Sequence, residues 1–170
     1  MRWSVQVGDI LDIPADVLIC SANVYLNLSG GVGGAFLLRY GSEMQMALHR
    51  YLAECNLRHV PRGTVVCMPS FRSPYRAVLH AVAIDAAYES SSAVVEVIVR
   101  DCLVKASAQC ARVVALPALA TGYGKLSIDD FIRGIQPLLI ETFMPLEEVV
   151  IGVRSTDDAT AIQSSLPIVK

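Results

Sequence analysis

Short apolar runs alternate along this chain with stretches whose apolar residues recur every three or four positions. Strands and helices in alternation predict an α/β architecture. Arg2 to Val7 alternates, which places Trp3, Val5 and Val7 on the inner face of a half-buried strand. Val17 to Ser21 is continuously apolar after Pro14 and reads as a strand buried on both faces. The glycine-rich stretch Ser29 to Gly34 leads into a helix ending near Tyr40. A second helix runs from about Ser42 to Glu54, with Ser42 as N-cap and Gln45 completing a capping box. Thr64 to Met68 and Arg76 to Ile84 read as strands, separated by a loop at Pro69 to Pro74. Ser91 or Ser92 caps a helix lasting to about Gln109, with Val94, Val95, Ile98, Cys102, Leu103 and Ala106 on its apolar side. Arg112 to Leu116 is another buried strand, stopped by Pro117. Ser127 caps a helix through Leu139, with Asp129 and Asp130 in its first turn, where the helix dipole favours acids. Glu148 to Val153 is the last strand, and Asp157 or Asp158 starts a final helix toward Leu166.

Composition narrows the class. At 170 residues the chain fits one domain, residues 1–170. With 54% hydrophobic and 18% charged residues it is too apolar for a disordered segment. Fourteen Lys and Arg against sixteen Asp and Glu leave no basic excess, which argues against a general nucleic-acid binder. No run reaches the roughly 20 apolar residues of a membrane span; the richest, Val78 to Ala87, contains Asp85. The opening residues lack the apolar stretch of a signal peptide, so a cytoplasmic protein away from membranes is expected. The apolar surplus also suggests a homo-oligomer interface. The cysteines at 20, 55, 67, 102 and 110 are odd in number and without CxxC spacing, so neither disulfides nor a metal site is signalled. Most are expected in the core. No cofactor is implied.

In open α/β sheets, ligands bind beyond the carboxyl ends of the strands. Three such places carry chemistry. After Val17 to Ser21 comes Asn23, then Ser29-Gly30-Gly31-Val32-Gly33-Gly34, read either as a backbone cradle for an oxyanion or as a plain turn. After Arg112 to Leu116 comes Thr121-Gly122-Tyr123-Gly124-Lys125, a second glycine-bearing loop that would grip a diphosphate from the other side, with Tyr123 as a lid. Gly8-Asp9-Ile10 follows the first strand, and its carboxylate either accepts from an amine or caps a turn. The only Gly-Lys, Gly124-Lys125, precedes Leu126, and the Rossmann glycine spacing fails at Phe36. Kinase-like and ordinary NAD chemistry are therefore disfavoured.

In this order, Gly8-Asp9-Ile10, Ser21-Ala22-Asn23 with Leu26, Gly30-Gly31-Val32, Gly63-Thr64-Val65-Val66, Val78-Leu79-His80-Ala81-Val82 and Pro117-Ala118-Leu119-Ala120-Thr121-Gly122 resemble the macrodomain. That family is an ADP-ribose-binding module, also tied to Appr-1''-p processing. The resemblance runs from about Arg2 to Leu166. It implies a three-layer α/β/α macrodomain-like fold with a mixed, mostly parallel sheet and a cleft for ADP-ribose. It implies that Asp9 accepts from the adenine amine with Ile10 nearby, and that Asn23 faces the distal ribose. Ser29, Gly30, Gly31, Val32 and Gly33 would wrap one side of the diphosphate, and Thr121, Gly122, Tyr123 and Gly124 the other. Where the family often stacks an aromatic residue on adenine, this chain has Arg154, whose planar guanidinium would stack instead.

The chain departs from the family pattern at Cys20, in place of an Asn, at Ser29, in place of a glycine, and at Gly33, where one hydrolase branch carries an Asp. Its second loop is one residue short. Asn23 is then the candidate catalytic residue, with Lys125 a possible electrostatic substitute. His80 reads as a satisfied core histidine, and His49 and His59 carry no signal. The leading expectation is binding of ADP-ribose, O-acetyl-ADP-ribose or ADP-ribosylated protein. Slow ester hydrolysis is a second expectation, and a non-catalytic scaffold or oligomerisation domain with a degenerate cleft is the alternative.

Overall fold

The computed structural model describes residues 1–167; the last three residues of the expected domain, 168–170, lie outside the described residues. Six strands form one sheet among the described residues: β1 (Arg2–Val7), β2 (Val17–Ser21), β3 (Val65–Pro69), β4 (Ala77–Ala81), β5 (Val113–Pro117) and β6 (Glu148–Val153), in the order β1-β6-β5-β2-β4-β3. All neighbours run parallel except β3, which pairs antiparallel with β4 at one edge. The five parallel strands therefore end on the same side.

Side chains on a strand alternate between faces. Ile19, Leu79, Leu116 and Ile151 pack on one face with α3 (Ser92–Ala108), α4 (Ile128–Ile135) and α5 (Thr156–Ser165). Leu18, Cys20, Val66, Val78 and Val150 pack on the other with α1 (Gly31–Tyr40) and α2 (Glu43–Glu54). The result is a three-layer α/β/α fold with a mixed sheet. The continuously apolar runs read as strands form its centre because both of their faces are covered. No described helix is long and apolar enough to cross a membrane.

Several local expectations change. Val7 is exposed, because β1 is an edge strand whose last residues leave the core. Ser42 has helical φ/ψ and makes no cap; Gln45 turns instead to the preceding loop, accepting from Leu28 N at 2.6 Å and donating to Leu26 O at 3.0 Å. The helix opened by Ser127 stops at Ile135 and tightens to a 3-10 turn over Gln136–Ile140, since Pro137 lacks the N–H that would continue it. Ser155, not Asp157 or Asp158, caps α5 by accepting from both of their amides. Only Cys20 and Cys102 are buried, while Cys55, Cys67 and Cys110 are exposed. His80 is buried, but neither ring nitrogen finds a hydrogen-bond partner among the described residues, so it is not the satisfied core histidine expected.

Candidate functional site

A cleft of about 630 Å³ opens at the carboxyl ends of the five parallel strands, within the size range of small-molecule sites. Its walls come from the segments after β1, β2, β4, β5 and β6. Strands β2 and β5 are neighbours, so the two glycine-bearing loops that follow them stand on opposite sides of one opening.

The first loop ends in a helix start. Gly30 is extended, and Gly31, at φ +54, takes a left-handed conformation that glycine adopts without strain. The glycines expected as a separate turn form the opening of α1. A helix start leaves its first N–H groups without intrahelical acceptors and carries a partial positive charge, which together favour an anion. Ser29, Gly30, Gly31 and Val32 line the cleft. Gly33 does not; it is buried, and a Cβ there would meet Leu28 Cδ2 at 3.1 Å. Gly33 is thus a packing residue beneath the loop.

The second loop is drawn tight on itself. Thr121 Oγ1 donates to Ala118 O at 2.8 Å, and Leu126 N donates to Ala120 O at 3.3 Å. Gly124 passes so close to Ala120 that a Cβ would sit 2.2 Å from its carbonyl oxygen. Thr121, Gly122, Tyr123 and Gly124 all line the cleft. The Tyr123 ring reaches the opposite loop: a Cβ on Gly30 would meet its Cε2 at 2.8 Å and its hydroxyl at 2.9 Å. The two loops therefore touch, with an exposed aromatic ring bridging them.

At one end lies the turn after β1. Asp9 and Ile10 line the cleft. Asp9 also caps the 3-10 turn Ile10–Asp12, its Oδ1 accepting from Leu11 N at 3.0 Å, so the capping alternative is realised alongside the cleft position. Its Oδ2 accepts from Arg39 Nη2 at 2.9 Å. Ile10 packs against β6 at Gly152, where a Cβ would come within 3.0 Å of it. Arg154, just beyond β6, is exposed and lines the same end, joined by Asp158.

Asn23 is on the wall, with three of the four hydrogen-bonding positions of its amide used by its own loop. Oδ1 accepts from Tyr25 N at 3.0 Å and Asn27 N at 3.2 Å, and Nδ2 donates to Asn27 O at 2.9 Å. The side chain shapes the loop that precedes the glycines. His49, expected to carry no signal, supports that loop from α2, with Nε2 2.8 Å from Asn27 Oδ1 and 3.0 Å from Gln45 Nε2. His59 packs edge-on against Tyr25.

Sequence reasoning missed the wall after β4. Ala83, Ile84, Asp85 and Tyr88 line the cleft, and the strand-end rule applied to the first, second and fifth strands would have found them. Asp85 Oδ1 accepts from Glu89 N at 3.0 Å and Ala87 N at 2.9 Å, and Oδ2 meets Arg62 Nη1 at 3.1 Å. Those backbone donors, with Arg62, hold its carboxyl below the usual range. Lys125, the candidate electrostatic substitute, pairs with Glu89 and ties the β4 and β5 loops together. Gly8, at φ +140, is a further wall residue. His80 is not on the wall, and burial pushes its imidazole down to about 4, which removes it as a base for the cleft.

The Macro domain family model matches residues 19–134. A macro domain-containing protein of Streptomyces griseus is 33% identical over 144 residues, covering 84% of this chain and 81% of that protein. An O-acetyl-ADP-ribose deacetylase of Salmonella typhimurium is 30% identical over 129 residues, covering 72% of this chain and 69% of the enzyme. Among solved structures, a mutant Oceanobacillus iheyensis macrodomain with ADPR superposes with a TM-score of 0.83 at 21% identity, covering 95% of this chain and 89% of that one. A Trypanosoma brucei macrodomain in complex with ADP-ribose gives 0.78 at 19% identity, covering 96% of this chain and 68% of its own.

Proposed function

Since this chain belongs to the macro domain family, we propose that its cleft binds ADP-ribose or an ADP-ribose derivative such as O-acetyl-ADP-ribose or an ADP-ribosylated protein. The observation that carries this reading is the pair of glycine-bearing loops on neighbouring strands, touching through Tyr123 and Gly30 across a single opening. A diphosphate between them would be held mainly by backbone N–H groups and the start of α1, without a cluster of cationic side chains. Asp9 would accept from the adenine amine, and Arg154 would lie along the base. The distal ribose would face the Asn23 loop and the wall after β4.

Hydrolysis of an ester on that ribose is the second reading, favoured by the Salmonella relatives named as deacetylases. Within this cleft the Asn23 carbonyl oxygen and one of its N–H groups serve its own loop, and Asp85 is held by two backbone amides and Arg62. The arrangement therefore fits a binding module better than a general acid–base site. Titration calorimetry with ADP-ribose, ADP and AMP tests the proposal. ADP-ribose should bind tightest, because it alone fills both ends of the cleft. Equal affinity for all three would remove the distal-ribose contact, and no heat with any would sink the reading.

A further inference from the structure

Arg39 lies in the last turn of α1 and does not line the cleft, yet it is tied to the residue there that would read the base. Its Nη2 donates to Asp9 Oδ2 at 2.9 Å and its Nη1 to Asp12 Oδ1 at 2.7 Å. One planar guanidinium thus spans the N-cap carboxylate of Asp9 and that of Asp12, the last residue of the turn Ile10–Asp12. The same turn is braced from beneath by Tyr75, which is buried and whose hydroxyl donates to Leu11 O at 3.4 Å. Tyr40, next to Arg39, packs edge-on against that ring at 6.5 Å. Helix α1 therefore opens at the glycine loop and closes on the turn that bears Asp9.

We infer that Arg39 is a positioning residue for base recognition, holding the Asp9 carboxylate in the orientation that accepts the exocyclic amine of adenine. This rests on the ADP-ribose reading given above. An ionised carboxylate offers about four acceptor sites. Leu11 N takes one on Oδ1 and Arg39 takes one on Oδ2, which fixes the plane of the group and leaves acceptor capacity on both oxygens. The Asp9 side chain retains 33% of its exposure, so that capacity is reachable. Without Arg39, Oδ2 would have no anchor, and the carboxylate would turn about its side-chain bonds toward water. Two unneutralised carboxylates would also stand beside a ligand carrying a diphosphate. Those two effects differ in one respect. Loss of neutralisation weakens every nucleotide diphosphate sugar alike, whereas loss of orientation erases the distinction between an amine donor and a carbonyl acceptor on the base.

The test is calorimetry with ADP-ribose and its hypoxanthine counterpart, inosine diphosphate ribose, on the wild type, Arg39→Ala, Arg39→Lys and Asp9→Ala. The wild type should prefer ADP-ribose by about 10- to 100-fold, the range set by one hydrogen bond to a charged group. Arg39→Ala should bring that ratio to within about threefold of unity, close to Asp9→Ala. Arg39→Lys, whose ammonium reaches one carboxylate at a time, should restore an intermediate ratio, and it serves if the alanine variant does not fold. A wild-type ratio retained in Arg39→Ala, or in Arg39→Lys where that is the variant that folds, overturns the inference, whatever common loss of affinity accompanies it. Equal binding of the two ligands by the wild type overturns it as well, through Asp9. Failure of the wild type to bind either one is a different result, and it removes the ADP-ribose reading itself.

Discussion

His80 gives this fold a dependence on pH that can be worked out in advance. It lies within β4, paired in register with Cys20 of β2 and Val66 of β3, and is wholly buried. Burial pushes its imidazole down to about 4, against an ordinary value near 6.5. Between those values the unfolded chain binds a proton that the folded chain refuses. Stability therefore falls as pH drops through about 6.5 and stops falling on this account below about 4. At about pH 5 the deficit spans about 1.5 pH units, or about 2 kcal/mol. The perturbation that isolates it is His80→Leu, which removes the titrating group and both unpartnered nitrogens at similar volume. Urea unfolding of both proteins at about pH 7.5 and about pH 5 supplies the numbers. The wild type should lose about 2 kcal/mol more than the variant over that interval. The other two histidines are common to both proteins and cancel in the difference. Equal losses would show instead that the buried imidazole charges in place, with no depressed value in the folded chain.

Other consequences are simpler. Gly124→Ala places a Cβ 2.2 Å from the Ala120 carbonyl oxygen, so the second loop must open; ADP-ribose affinity measured by calorimetry should fall at least about tenfold, the size of one lost hydrogen bond. Ser127→Ala removes the side-chain half of a complete capping box on α4 and should cost about 1 kcal/mol in urea unfolding. A colorimetric thiol reagent should label the exposed Cys55, Cys67 and Cys110 of the native protein, and reach the buried Cys20 and Cys102 only on unfolding. Burial pushes the Cys20 thiol up to about 12, which leaves it without a reactive thiolate at neutral pH.

The sheet was legible because its strands are short and apolar, with breakers between them. Val17–Ser21 and Glu148–Val153 fall where the pattern places them, since strands covered on both faces leave a continuous apolar run, and the edge strand Arg2–Val7 is marked instead by its alternation. The caps were less legible. Ser42 and Gln45 have capping-box spacing, yet Gln45 is claimed by backbone groups at 26 and 28, which lie far enough along the chain that spacing says nothing of them. The same holds inside the cleft. Glycines and Asp9 announce themselves by type and by position after a strand. The tie from Arg39 to Asp9, thirty residues away, exists only once α1 has folded back. At Gly33 the packing constraint was equally hidden, since nothing in the glycine run says that a Cβ there would meet Leu28. The wall after β4 went unread because Asp85 and Tyr88 stand among small apolar residues with no glycine run beside them to mark a loop over the cleft.

If backbone groups of the two facing loops hold a diphosphate, their amide chemical shifts report it directly. Titration of ¹⁵N-labelled protein with ADP-ribose, followed by heteronuclear NMR, should move the amides of Gly30, Gly31, Val32, Thr121, Gly122 and Gly124 together, with those around Asp9 and Arg154 following the same saturation curve. Shifts confined to another face of the sheet, or a spectrum unchanged at millimolar ADP-ribose, would contradict the account.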